Sequence, residues 1–166
     1  GKSVHEIRPF QCGVPFHIHN LTVHPFSVTH DATDPMGFTI GQNGSRIGIA
    51  TDLGIVTPRL KDQLKDCHLL ILEANHDPKM LRDGPYPWPL KKRIQSNRGH
   101  LSNQQSKKLL GELQHRRLQH VILAHLSEIN NTPQKVLAEV SGVFNRCKPR
   151  LTVARQHRCS EVIYLK

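Results

Sequence analysis

An α/β fold with a mixed sheet is predicted by three observations. Short β-prone runs alternate with helical patterns, an Asn-Gly turn links two early runs, and capped helical segments separate the later ones. The 166 residues fit one domain large enough to bury its own core.

Residues 21–28 are apolar at alternate positions around Pro25, which predicts an edge or irregular strand, since proline cannot donate to a sheet ladder. It delivers His30 just past its end. Residues 37–40 and 46–50 flank Gln42-Asn43-Gly44-Ser45, a hairpin signal because Asn and Gly both tolerate positive φ. The second arm runs into Asp52. Thr57 and Pro58 supply an N-cap and a first-turn proline for a helix to about Lys65.

Residues 68–73 read as a buried strand ending at Ala74-Asn75-His76-Asp77. Three prolines within 83–89 predict a rigid surface loop, followed by a short basic helix from Lys91 to Gln95. Ser102 and Gln105 have capping-box spacing, and Leu109, Leu110 and Leu113 give the following helix its apolar face. Residues 121–124 are too short for a helix and read as a buried strand carrying His125 at its end. Thr132 and Pro133 open a helix to about Phe144, and residues 161–165 are expected to finish the chain as a strand.

Lys and Arg total 23 against 13 acidic residues, a formal charge of +10 that favours polyanionic partners, nucleic acid among them. Cys12, Cys67, Cys147 and Cys159 form no Cys-x-x-Cys pair, against a thiolate zinc knuckle or disulfide framework. They read as reduced thiols of a cytoplasmic protein. No run approaches the roughly 18 apolar residues of a membrane span, and residues 1–6 show no apolar signal core, so a soluble protein is expected.

Twelve histidines make metal binding worth testing. His30, Asp52 and His125 each follow a strand, where distant residues can converge. Imidazole and carboxylate suit zinc, and also manganese, cobalt or iron. Singly, each also reads as a turn or cap residue. His17-Ile18-His19 reads as strand surface more than as ligand. His76 and His100 are further catalytic candidates, with turn and capping roles as the bland alternative. Beside the Ser102 helix, the His100 imidazole and backbone N–H groups could hold a phosphate. Asp31 or Glu73 could orient a ligand imidazole, with Ser127 and Asn130 in a similar role beside His125. Lys91, Lys92, Arg93 and Arg98 lie near Tyr86 and Trp88, a candidate surface where cations hold phosphates and rings stack on bases. The alternative is a solvated helix face beside aromatics that pack on the core.

Six separated motifs stand in one order: residues 28–38 around His30-Asp31-Ala32-Thr33-Asp34-Pro35, residues 49–54 around Asp52, residues 72–77 (Leu-Glu-Ala-Asn-His-Asp), residues 84–89 (Gly-Pro-Tyr-Pro-Trp-Pro), residues 99–103 (Gly-His-Leu-Ser-Asn) and residues 124–131 around His125. Together they resemble the YycJ (WalJ) branch of the metallo-β-lactamase-fold hydrolases, from about residue 10 onward and over the second half of such a protein. The resemblance implies half of an αββα sandwich with a dinuclear site. His30 would bind one metal, Asp52 bridge both, and His125 bind the second, the two divalent ions being zinc first and manganese next. It also implies phosphodiesterase or exonuclease action on nucleic acid by metal-activated water.

The family's His-x-His-x-Asp-His segment does not occur in residues 1–166. The expectation is therefore one incomplete domain over 1–166, inactive alone. Its uncovered sheet would be protected by the missing half or by a homodimer. Two other readings stand beside the hydrolase: a noncatalytic nucleic-acid-binding remnant of the fold, and a small-molecule ester or thioester hydrolase.

Overall fold

The computed structural model describes residues 7–165, so the expectation for residues 1–6 lies outside it. Seven strands pair in chain order in one sheet: β1 (Phe16–Ile18), β2 (Leu21–Ser27), β3 (Met36–Gln42), β4 (Ser45–Ala50), β5 (Leu69–Glu73), β6 (His120–Ala124) and β7 (Arg150–Val153). Neighbours from β1 to β4 are antiparallel and those from β4 to β7 parallel. Parallel pairs need crossovers, supplied by α1 (Pro58–Leu64), by α2 (Pro78–Asp83), α3 (Trp88–Gln95) and α4 (Asn103–Leu113), and by α5 (Pro133–Val140). This is the mixed α/β sheet expected from the sequence.

Local chemistry explains most element ends. Gln42 pairs with Ser45 across Asn43 (φ 50°) and Gly44 (φ 81°), the two positive φ values of a tight hairpin. Thr57, Ser102 and Thr132 each accept a hydrogen bond from a first-turn N–H, and Gln105 Oε1 accepts one in turn from the Ser102 N–H.

Three expectations are corrected. β2 is an interior strand: Pro25 opposes Phe38 on β3, and its carbonyl accepts from Gly13 N on the opposite side. Its nitrogen therefore faces beyond the end of β1, where no ladder hydrogen bond is required. The proline-rich segment is more helical than expected, because Asp77 caps α2 and Trp88 and Pro89 already belong to the first turn of α3. Residues 161–165 form no strand. Leu151 and Val153 of β7 pack on the core, whereas Val162 and Tyr164 are exposed, so burial and not β-propensity decided the last strand.

The two sheet faces differ. Leu70, Leu72, Val121 and Leu123 are fully buried in one cluster with Leu60 and Leu64 of α1, Leu109, Leu110 and Leu113 of α4, and Val136 and Val140 of α5. On the other face Phe38, Ile49, Ile71 and Ile122 line up across β3 to β6, and Phe38 and Ile71 remain half-exposed. Phe10 stacks on Phe16 at 5.1 Å and meets Phe38 edge-on at 5.9 Å. No helix among the described residues is long and apolar enough to cross a membrane.

Candidate metal centre

β2, β4, β5 and β6 run in the same sense, so the residues after them gather at one edge of the sheet. Glu73, last in β5, is the hub there and is 0% exposed. Its Oε1 accepts from His100 Nδ1 at 2.7 Å and from His125 Nδ1 at 2.8 Å. Its Oε2 accepts from Leu53 N at 2.7 Å and Leu101 N at 3.3 Å. Burial pushes the carboxyl's pKa up, but the His100 and His125 hydrogen bonds outweigh it and hold Glu73 below the usual carboxylate range. The hydrogen bond to Glu73 likewise raises His125 above an ordinary histidine, against the effect of burial.

Asp52 (φ 60°) and His125 (φ 58°) both turn into the left-handed region just past parallel strands, a conformation that strains non-glycine residues. Glu73 holds both turns, through Leu53 N and through the His125 ring. Asn75 Nδ2 fixes the His125 carbonyl at 2.9 Å. Behind them, Asn103 and Asn131 exchange side-chain hydrogen bonds while Asn131 Nδ2 also reaches the Ala74 carbonyl, tying α4 to the loop after β6. His30 is fixed from the opposite wall by Nδ1 on the Gly99 carbonyl at 3.0 Å. That wall, residues 96–99, approaches so closely that a Cβ on Gly54 would lie 2.1 Å from Asn97 O.

The donor set suits a divalent ion. In His30, His100 and His125 the partner of Nδ1 is a carbonyl or carboxylate, an acceptor only, so Nδ1 carries a proton and the neutral form of each ring has its lone pair on Nε2. His30 Nε2 lies 3.6 Å from Asp52 Oδ1, too far for a hydrogen bond and near the separation of about 3.4 Å for two tetrahedral ligands at 2.1 Å from one ion. The same oxygen is 3.8 Å from His125 Nδ1, the nitrogen that Glu73 holds. His30, Asp52 and His100 offer ligand atoms within 4.8 Å of one another, as do Glu73, His100 and His125. In the second group the 2.7 and 2.8 Å contacts are hydrogen bonds, so Glu73 orients the imidazoles.

The sequence-named residues therefore divide. His30, Asp52, His100 and His125 converge. Glu73, one of the residues named for orienting an imidazole, orients two; another, Asp31, pairs with Arg93 at 2.8 Å on the surface. His76 is buried beside the start of α4 with no partner for Nδ1 among the described residues, and burial lowers its pKa to about 4. The expected phosphate cradle at α4 is corrected: the N–H groups of Leu101, Ser102, Asn103 and Gln105 are already bonded to Glu73, Gln105, His76 and Ser102. His19 (φ 52°) lies in the turn after β1, outside the cluster. Of the basic segment, Lys91 caps α2 through the Arg82 and Gly84 carbonyls, Arg93 is held by Asp31, and Lys92 lies over the exposed Trp88 ring.

Residues 2–125 match the family described as Beta-lactamase superfamily domain. The chain belongs to that superfamily. Within it, the chain is 36% identical over 125 residues to the exodeoxyribonuclease YycJ of Bacillus anthracis, covering 75% of this chain and 47% of the relative. It is 33% identical over 134 residues to the exodeoxyribonuclease WalJ of Streptococcus pneumoniae, covering 81% and 49%. It thus spans about half the length of these relatives. Among solved structures, the metallo-β-lactamase fold protein YhfI from Bacillus subtilis superposes with a TM-score of 0.64 at 15% identity, covering 88% of this chain and 52% of that one. Zn(2+)-bound PqqB from Methylobacterium extorquens gives 0.60 at 19% identity, with 87% and 52% covered. These two likenesses establish the superfamily fold.

Proposed function

We propose that the cluster is one half of the active site of a metal-dependent hydrolase that cleaves phosphodiester bonds in nucleic acid, as an exonuclease. The observation that carries this reading is the convergence of His30, Asp52 and His100, whose ligand atoms lie within 4.8 Å of one another, with the His125 ring 3.8 Å from the same carboxylate and Nδ1 of all three imidazoles held by a carbonyl or by Glu73. The exodeoxyribonuclease names of the two relatives support the substrate class, as does the charge of +10, which disfavours a small-ester substrate.

His30, Asp52 and His125 would hold two divalent ions, Asp52 between them, with zinc the first expectation and manganese the second. Bound there, the ions would lower the pKa of water and neutralise charge on a phosphoryl oxygen. His100, held by Glu73 at Nδ1, would take a proton on Nε2 from the attacking water and pass it to the departing oxygen. His76, buried where its backbone pairs with Ser102 at the start of α4, would be a further catalytic candidate. Lys92, Arg93 and Trp88 would meet the nucleic acid, with Lys91 setting the helix that carries them.

Three residues are too few for two ions, so the remaining ligands would come from a complementary half-domain on the half-exposed Phe38–Ile71 face, with a second copy as the competing occupant. That fits a chain spanning half of its relatives' length. A noncatalytic binding remnant is the alternative that the short ligand set favours. The free thiols fit a cytoplasmic setting.

Metal analysis after zinc or manganese loading decides between catalysis and binding. Retained metal in the parent chain and its loss in Asp52→Asn are expected. A chain that retains no metal, with any nuclease activity untouched by Asp52→Asn, sinks the catalytic reading.

A further inference from the structure

We infer that Trp88 and Lys92 form a stacking platform for one unpaired base of a single DNA strand. The inference rests on the nucleic-acid reading above and gives that ligand a second point of attachment outside the metal cluster. Trp88 is 62% exposed, although large aromatic side chains normally bury. It opens α3, a helix with no buried residue, so no packing requirement explains a tryptophan there.

Lys92 is four residues on, hence on the same helix face, and its Nζ lies 5.3 Å from the ring centroid. That ammonium covers one ring face; no other ring contact to Trp88 occurs among the described residues. A base stacked on the open face would bring its phosphate near the same cation, which is the pairing of π-face and charge that holds single strands without reading sequence. α3 carries Lys91, Lys92 and Arg93 and no acidic residue, so the surface matches a polyanion. Since Lys91 and Arg93 are committed to carbonyls and to Asp31, Lys92 is the cation of this trio beside the ring.

The platform is connected to the cluster. α3 leads through residues 96–99 to His100, and this loop bonds to both His30 and Asp31. One helix length of about 12 Å separates Trp88 from that loop.

Trp88 is the chain's sole tryptophan, so its fluorescence reports the event directly. Titration of the full chain with a dT oligonucleotide should quench the emission, whereas an abasic oligonucleotide of equal length and charge should bind more weakly and quench little. By anisotropy of labelled dT, Trp88→Ala should weaken binding on the order of 5- to 100-fold and Trp88→Phe by less. Trp88→Ala should leave the abasic affinity and the melting temperature unchanged. Equal quenching by the two oligonucleotides, or equal loss of both affinities in Trp88→Ala, overturns the platform while nucleic-acid binding stands. Failure of every oligonucleotide to bind at low salt removes both.

Discussion

The end of β5 and the helix α3 are built on opposite principles, although the loop that follows α3 leads directly to His100. Around Glu73 two imidazoles and two backbone N–H groups share one carboxylate that is 0% exposed. Along α3 nothing is buried, and the cations meet carbonyls, a surface carboxylate and a ring face. A buried network is rigid because leaving any member unpaired is costly; an exposed one can exchange its partners for a ligand's phosphates. One region can therefore define geometry, while the other can supply affinity.

The sharpest way to break that contrast is Glu73→Ala. It leaves the buried Leu53 and Leu101 N–H groups without an acceptor and frees both imidazoles, and should cost about 3–5 kcal/mol, with the melting temperature falling by roughly 6–20 °C, readable by thermal melting. A loss under about 1 kcal/mol would mean that Glu73 is no hub.

Acid should find the same region next. His76 has its pKa lowered to about 4 by burial, so between pH 6.5 and 4 the unfolded chain binds a proton that the folded one refuses. Stability should therefore fall as pH drops through that window, by on the order of 2–3 kcal/mol. His68 and His120, also lowered by burial, act in the same direction. Urea titrations of the parent and His76→Asn should show a shallower pH slope in the variant; parallel slopes would move the effect elsewhere.

Asp52 separates backbone from charge. Asn accepts a φ of 60° far better than Ala, so Asp52→Asn should melt like the parent and lose metal, whereas Asp52→Ala should also lose about 1 kcal/mol. Equal metal retention in both variants would remove Asp52 from the ligand set.

The smallest effect belongs to α3. Lys92→Ala should change stability by less than about 0.5 kcal/mol, yet reduce the salt dependence of oligonucleotide binding by roughly one counterion. An unchanged salt slope would place Lys92 outside the interface.

How much of this was legible varies by element. The Asn43-Gly44 hairpin and the Thr57 and Ser102 caps were readable because their physics is local: a turn demands positive φ, and a helix start demands acceptors. α2 went unread because its six residues lie between the Asp77 cap and a run of prolines that also suits a loop. The candidate ligands His30, Asp52 and His125 were visible as residues that follow strands. Glu73 was one option beside Asp31, Ser127 and Asn130, and nothing in its spacing separated it from them.

By itself, the sequence determined the alternation of elements, their caps and turns, and the residues placed at strand ends, since these depend on neighbours a few positions apart. Only the tertiary structure decided that β2 lies inside the sheet, that residues 150–153 and not 161–165 form the last strand, and that Glu73 joins His100 to His125. Those outcomes depend on which strand lies beside which and on what is buried between them, and burial is a property of the whole chain.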